Sequence, residues 1–163
     1  MLRGAQVSVA QTAADIAAVR GLWRQYWDSL GLTDEFQGFA EELRNLPGKY
    51  APPGGTLLLA HDLAQPNGAA VGTAALRPLT DTACEAKRFY VLPQHRGKGI
   101  GKALLQRLLD EAYSVGYREI FCDTLPQLAE ARSLYESSGF QETAPYSDDP
   151  TPGVIYFRRS LIC

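Results

Sequence analysis

Arg96, Lys98 and Lys102 are interleaved with Gly97, Gly99 and Gly101 in the stretch His95-Arg96-Gly97-Lys98-Gly99-Ile100-Gly101-Lys102. Glycines at alternate positions let the backbone approach a ligand with no Cβ in between, and their amides converge where a following helix begins. A helix N-terminus carries roughly half a positive charge, and the three basic side chains add full charges around it. This chemistry suits a diphosphate or another polyanion. A Walker loop does not fit, because Arg96 stands where its first glycine belongs and Ala103 replaces the Ser or Thr after Gly101-Lys102. The dinucleotide fingerprint fails as well, with Lys102 at its third glycine. What remains is Arg96-x-x-Gly99-x-Gly101, entered from the strand-like run Phe89-Tyr90-Val91-x-Pro93.

The elements that must hold this loop are legible on both sides of it. Upstream, a strand begins at about Cys84. Strict alternation puts Glu85, Lys87, Phe89 and Val91 on one face and Cys84, Ala86, Arg88 and Tyr90 on the other. Downstream, Ile100, Leu104, Leu105, Leu108, Leu109 and Ala112 form one apolar stripe, with Lys102, Gln106, Arg107, Asp110 and Glu111 opposite, so a helix runs to Gly116. A further strand over Tyr117 to Asp123 completes a strand-helix-strand unit, which implies a parallel pair joined by a right-handed crossover.

Earlier in the chain, Gln6 to Gln11 reads as a strand, and Thr12 with Asp15 begins a helix reaching about Leu30. A second helix is expected from Thr33 or Asp34 to the Pro47-Gly48 break. Thr56 to His61 and Ala69 to Leu79 read as a hairpin turned at Asn67-Gly68, and Thr80-Asp81-Thr82 turns into the central strand, giving an antiparallel meander. A fourth helix carries Leu128, Ala131, Leu134 and Tyr135. Strands follow from Gly139-Phe140 and over Val154 to Leu161, separated by a proline-braced loop holding Asp148 and Asp149.

Together the loop motif and a second stretch, Ala131-x-x-Leu134-Tyr135-x-x-x-Gly139-Phe140, resemble the GNAT superfamily of acyl-CoA-dependent N-acetyltransferases over Cys84 to Phe140. The resemblance implies an α/β (α+β) fold: a central mixed, mostly antiparallel seven-stranded sheet, its fourth and fifth strands parallel and splayed, flanked by four helices. It implies acetyl-CoA as co-substrate, its pantetheine arm beside Phe89, Tyr90 and Val91 and its diphosphate on Arg96, Gly97, Lys98, Gly99, Ile100, Gly101 and Lys102. It implies Glu85, six residues before Val91, as general base, where the alternative is a surface carboxylate paired with Lys87 or Arg88. It implies Tyr135 as the acid that protonates the leaving thiolate, where the alternative is a buried helix residue. Leu128 departs from the commonest family form, which has Asn there.

The acceptor is expected to be a primary amine, on a small molecule or a peptide. Tyr26, Trp27 and Phe36, in the first two helical segments, are candidate walls of its pocket; the plainer reading makes them core. A non-catalytic acyl-CoA-binding or sensory module is the alternative function, and the joint presence of Glu85 and Tyr135 argues against it. A homodimer is a common assembly in the superfamily, and no stretch here marks an interface.

Composition sets the remaining bounds. With 163 residues, 45% hydrophobic and 21% charged, the chain reads as one domain spanning residues 1–163. A net charge of -2 gives no global pull toward nucleic acid. Cys84, Cys122 and Cys163, with His61 and His95, have no metal-ligand spacing, so no metal is expected. The cysteine usage and the absence of a leader or membrane-length apolar run predict a cytoplasmic protein that does not engage a membrane.

Overall fold

In the computed structural model, which describes residues 5–64, 68–148 and 151–162, the main chain follows this order closely. Strand β1 (Ala5–Val9) leads to helix α1 (Ala13–Ser29), whose start is fixed by a full capping box between Thr12 and Asp15. The short helix α2 (Phe39–Arg44) precedes strands β2 (Thr56–Asp62), β3 (Ala70–Pro78) and β4 (Ala83–Val91). Helix α3 (Ile100–Val115), strand β5 (Glu119–Thr124), helix α4 (Ala129–Ser137) and strands β6 (Gln141–Glu142) and β7 (Ile155–Ser160) complete it. The hairpin turn expected at Asn67-Gly68 and the acidic Asp149 fall on or against positions outside the described residues.

The seven strands form one sheet in the order β1-β2-β3-β4-β5-β7-β6. Only β4 and β5 run parallel; the other neighbours are antiparallel. Helices cover both faces. The stripe of α3 packs with Leu58, Leu76, Cys84 and Ile120 in one cluster, while Val19, Leu22, Trp23 and Trp27 of α1 pack with Leu57, Leu59 and Ala75 in another. Burial on both sides explains why β2 reads Thr-Leu-Leu-Leu-Ala without a polar alternation. Each fully buried Leu of α3 contributes about 1.5–3 kcal/mol.

Two local expectations change, and both bear on the site. The second helix is shorter than predicted: a single 3-10 turn, Phe36–Gly38, precedes α2. Gln37 and Gly38, at φ 57° and 68°, are left-handed, which interrupts helical hydrogen bonding. The alternation along β4 also fails midway. On β3 the pairing steps from Thr73 to Ala75, while on β4 it steps from Tyr90 to Lys87, so β4 carries one extra residue. Arg88, at φ 56°, marks this bulge. Past it the faces swap. Phe89 and Val91 join Cys84 and Ala86 toward α3, whereas Tyr90 packs on Tyr26 of α1 and Arg88 on Trp27.

Candidate active site

Strands β4 and β5 pair only from Ala83–Glu119 to Glu85–Phe121. Beyond Glu85 they diverge. The gap opens into two adjoining hollows, an outer groove of about 470 Å³ and a smaller inner cavity. Tyr26, Phe89, Leu128 and Ala131 line both.

The outer groove is walled by the β4 end and the basic loop on one side and by α4 on the other. Phe89, Tyr90, Val91, Arg96, Gly97, Gly99, Ile100, Gly101 and Lys102, all expected from the resemblance to meet the cofactor, are brought together along this groove. Gly99 is the N-cap of α3, at φ 82°, and no side chain caps the helix. The first-turn amides therefore have no intrahelical acceptor and are open to an anion. A Cβ on Gly101 would stand 3.4 Å from both Phe89 Cζ and Leu134 Cδ2, so this glycine keeps the floor of the groove clear. Arg96 ties the loop to the strand: its Nε donates to the Val91 carbonyl at 2.9 Å and its guanidinium lies over the Tyr90 ring. Lys98 is the exception among the loop residues. It does not line the groove, and its Nζ lies 3.9 Å from Asp62 Oδ2.

The inner cavity lies between α1, β4, β5 and α4. Tyr26, Trp27 and Phe36 line it, together with Gln37, Lys87, Arg88, Asp123 and Tyr135. Trp27 also serves the core, stacked on Phe39 at 4.2 Å, so it both packs in the core and lines this cavity. The Tyr135 ring is buried against Phe89, Phe140 and Phe157, and burial pushes its phenol well above the ordinary value. Tyr135 lines the cavity, and a phenol raised in this way stays protonated at neutral pH.

Glu85 is placed differently. It is 3% exposed, outside the lining of either hollow, and both its oxygens are engaged. Arg77 Nε donates to Oε1 at 2.8 Å and the Tyr146 hydroxyl to Oε2 at 2.6 Å. The expected alternative partners, Lys87 and Arg88, turn elsewhere. Arg88 is held by Glu42 through Nε and Nη2, at 3.1 and 2.5 Å, and sits over Trp27. Burial alone would raise the Glu42 carboxyl, yet the Arg88 guanidinium and the Tyr50 hydroxyl bring it below its ordinary value. Lys87 donates to Gln37 Oε1 at 3.4 Å. Sequence reasoning missed Gln37, Lys87, Arg88 and Asp123 as cavity residues. Asp123 at the end of β5 had a signal, since it follows the apolar strand opposite β4; Gln37 had none.

Residues 16–140 match the model of the acetyltransferase (GNAT) family. The chain belongs to the GNAT family. An uncharacterized N-acetyltransferase of Schizosaccharomyces pombe is 35% identical over 156 residues, covering 95% of this chain and 94% of that protein. Among solved structures, a GNAT acetyltransferase of Staphylococcus aureus superposes with a TM-score of 0.79 at 20% identity, covering 97% of this chain and 99% of that one. The acetyltransferase YncA of Salmonella typhimurium, solved with its cofactor acetyl-CoA, superposes with a TM-score of 0.70 at 22% identity, covering 98% and 95%. The GNAT fold is thus present in full along the described chain. Among the described residues no helix is long and apolar enough to cross a membrane, and no group of three or more His, Cys, Asp or Glu could hold a metal ion.

Proposed function

We propose that this GNAT protein transfers the acetyl group of acetyl-CoA to a primary amine, on a small molecule or a peptide, by direct attack in a ternary complex, in the cytoplasm and without a metal. One observation carries the reading: the uncapped amides of α3 open onto a groove that adjoins, at the β4–β5 gap, a cavity lined by Tyr135. The YncA neighbour solved with acetyl-CoA supports the choice of donor.

In this reading the diphosphate rests on the amides and side chains from Arg96 to Lys102. The pantetheine arm adds itself to the open edge of β4 at Phe89, Tyr90 and Val91, which set its thioester at the gap. The amine arrives from the inner cavity. An alkylamine with a pKa of about 10 is mostly protonated at neutral pH, so a base must take its proton before the nitrogen attacks. Glu85 is that base, reached through water because its oxygens lie outside the cavity. A C–N bond forms, a backbone amide near Val91 stabilises the carbonyl oxygen, the C–S bond breaks as Tyr135 passes its proton to the departing thiolate, and the proton that the nitrogen sheds on becoming an amide restores the Tyr135 phenol.

One observation favours a second reading, a non-catalytic acyl-CoA-binding module: Arg77 and Tyr146 occupy both oxygens of Glu85. Calorimetric titration with acetyl-CoA, paired with release of free CoA over a panel of amines, amino acids and peptides, separates the two. The transferase reading requires release with at least one acceptor; binding without release from any acceptor leaves the module. Gly99→Glu fills and repels the diphosphate site, so unchanged acetyl-CoA binding in that variant overturns the loop assignment.

A further inference from the structure

Two cations line the inner cavity, Lys87 and Arg88, and their circumstances are opposite. Arg88 is satisfied by the Glu42 carboxylate and by Gln37. Lys87 has no carboxylate within ion-pair distance of its ammonium among the described residues, and its hydrogen bond to Gln37 is long, at 3.4 Å. The other basic groups near this face are also matched: Arg77 with Glu85, Lys49 with Glu42. Glu85 and Asp123 act on the Lys87 charge only from beyond ion-pair distance, and a partly buried ammonium without a contacting carboxylate is costly to keep, a cost that an anion supplied by a ligand reduces. Burial, with the Arg88 charge beside it, lowers Lys87 to about 8, which leaves it mostly cationic at neutral pH.

The rest of the cavity suits the other parts of such a ligand. Asp123 lines it from β5, facing a region where an incoming ammonium would be favoured, and Trp27, Leu30 and Phe36 supply apolar wall. The inner cavity, about 60 Å³ against about 470 Å³ for the groove, suits a small molecule. We propose that Lys87 is the carboxylate-recognition residue of the acceptor site, and that the acceptor is a small amine bearing a carboxylate, an α-amino acid in chemical class. This inference rests on the transferase reading above for the word acceptor, and on the cavity alone for the anion site.

The test pairs each amino acid with the amine left by removing its carboxylate, for example leucine with isoamylamine and phenylalanine with phenethylamine. CoA release is compared for the natural protein, Lys87→Met and Lys87→Arg. The expected result is a preference of about tenfold or more in kcat/KM for the carboxylate-bearing member, lying mainly in KM, collapsing toward parity in Lys87→Met and largely retained in Lys87→Arg. Release with amines but without that preference, or a preference indifferent to Lys87→Met, overturns the inference and leaves the transferase standing. The converse is read without turnover, by titrating N-acetyl-leucine and N-isoamylacetamide into the protein saturated with CoA. Lys87-dependent binding of N-acetyl-leucine with no CoA release from any amine would keep the anion site and remove the transferase. Equal binding of the two compounds overturns the anion site. Acetyl-CoA affinity of each variant reports whether its fold is intact.

Discussion

Arg88 Nη1 donates to Gln37 Oε1 at 3.0 Å, and among the described residues these are the two non-glycine positions with positive φ, 56° and 57°. Each such conformation costs on the order of 1–3 kcal/mol and persists only where its surroundings hold it. Here each strained residue holds the other, across the mouth of the inner cavity. Arg88 is anchored in turn by Glu42, whose side chain is 7% exposed against 3% for Arg88.

Arg88→Ala removes the buried counter-charge of Glu42 and leaves that carboxylate with the half-exposed Lys49, 3.5 Å away, and the Tyr50 hydroxyl, so we expect a loss of about 3 kcal/mol of stability. Gln37→Gly exchanges a lost hydrogen bond for relief at the left-handed position and should change stability by less than about 1 kcal/mol. Urea unfolding of the two variants measures both; similar losses would mean that the ion pair is not what holds the bulge.

Gly101 and Gly99 should fail in different ways. Gly101 lies within α3 with Phe89 and Leu134 at contact distance from any added Cβ, so Gly101→Val obstructs the groove and should weaken acetyl-CoA binding by about tenfold or more, with little loss of stability. Gly99 sits at φ 82°, where an L side chain is strained, so Gly99→Ala should cost about 1–2 kcal/mol of stability with a smaller effect on affinity. Calorimetry and thermal unfolding of the pair distinguish obstruction from strain.

Tyr135→Phe keeps the ring contacts with Phe89, Phe140 and Phe157 and removes only the hydroxyl. If that hydroxyl protonates the thiolate, kcat should fall by about 100-fold with the KM for acetyl-CoA little changed. Because burial raises this phenol far above its ordinary value, the natural protein should show no alkaline limb attributable to it. A variant with natural kcat removes the acid role.

Glu85→Gln and Asp123→Asn separate the two carboxylates near the gap. With Glu85 as base, Glu85→Gln should lower kcat at neutral pH, with recovery at alkaline pH as the free amine becomes abundant. Asp123→Asn should act mainly on acceptor KM. An inverted pattern would assign the proton to Asp123, which lines the cavity directly.

Lys87 makes stability depend on pH in a defined window. Its ammonium is lowered from 10.5 to about 8 by burial and by Arg88, with Glu85 and Asp123 opposing and Lys49 reinforcing. Below about pH 8 both folded and unfolded chains carry the charge and the folded state bears its burial. Between about 8 and 10.5 the unfolded chain binds more protons, so stability rises with pH. Lys87→Met lacks this term; its advantage over the natural protein in urea unfolding should be greatest near pH 7 and shrink toward pH 10. An advantage that does not vary with pH would mean that Lys87 is not desolvated.

What the sequence by itself determined is local or repeats along a single element. The glycine spacing before α3, the stripe from Ile100 to Ala112 and the Thr12–Asp15 capping box each depend on neighbours a few residues away, and each is found where the pattern puts it. The parallel β4–β5 pair followed from the connection between them, because a strand-helix-strand crossover has few ways to close. Tertiary structure alone decided the identity of the groups lining the inner cavity. The extra residue at Arg88 exists because β4 must match β3 around it, and once inserted it reverses every face downstream. Tyr146 on Glu85 and Glu42 on Arg88 come from 61 and 46 residues away, from a loop and a short helix whose course no local pattern encodes. Periodicity reports which side of an element is buried; it carries no information on which distant charge closes over it, and that choice leaves Lys87 lining the cavity with no carboxylate within ion-pair distance among the described residues.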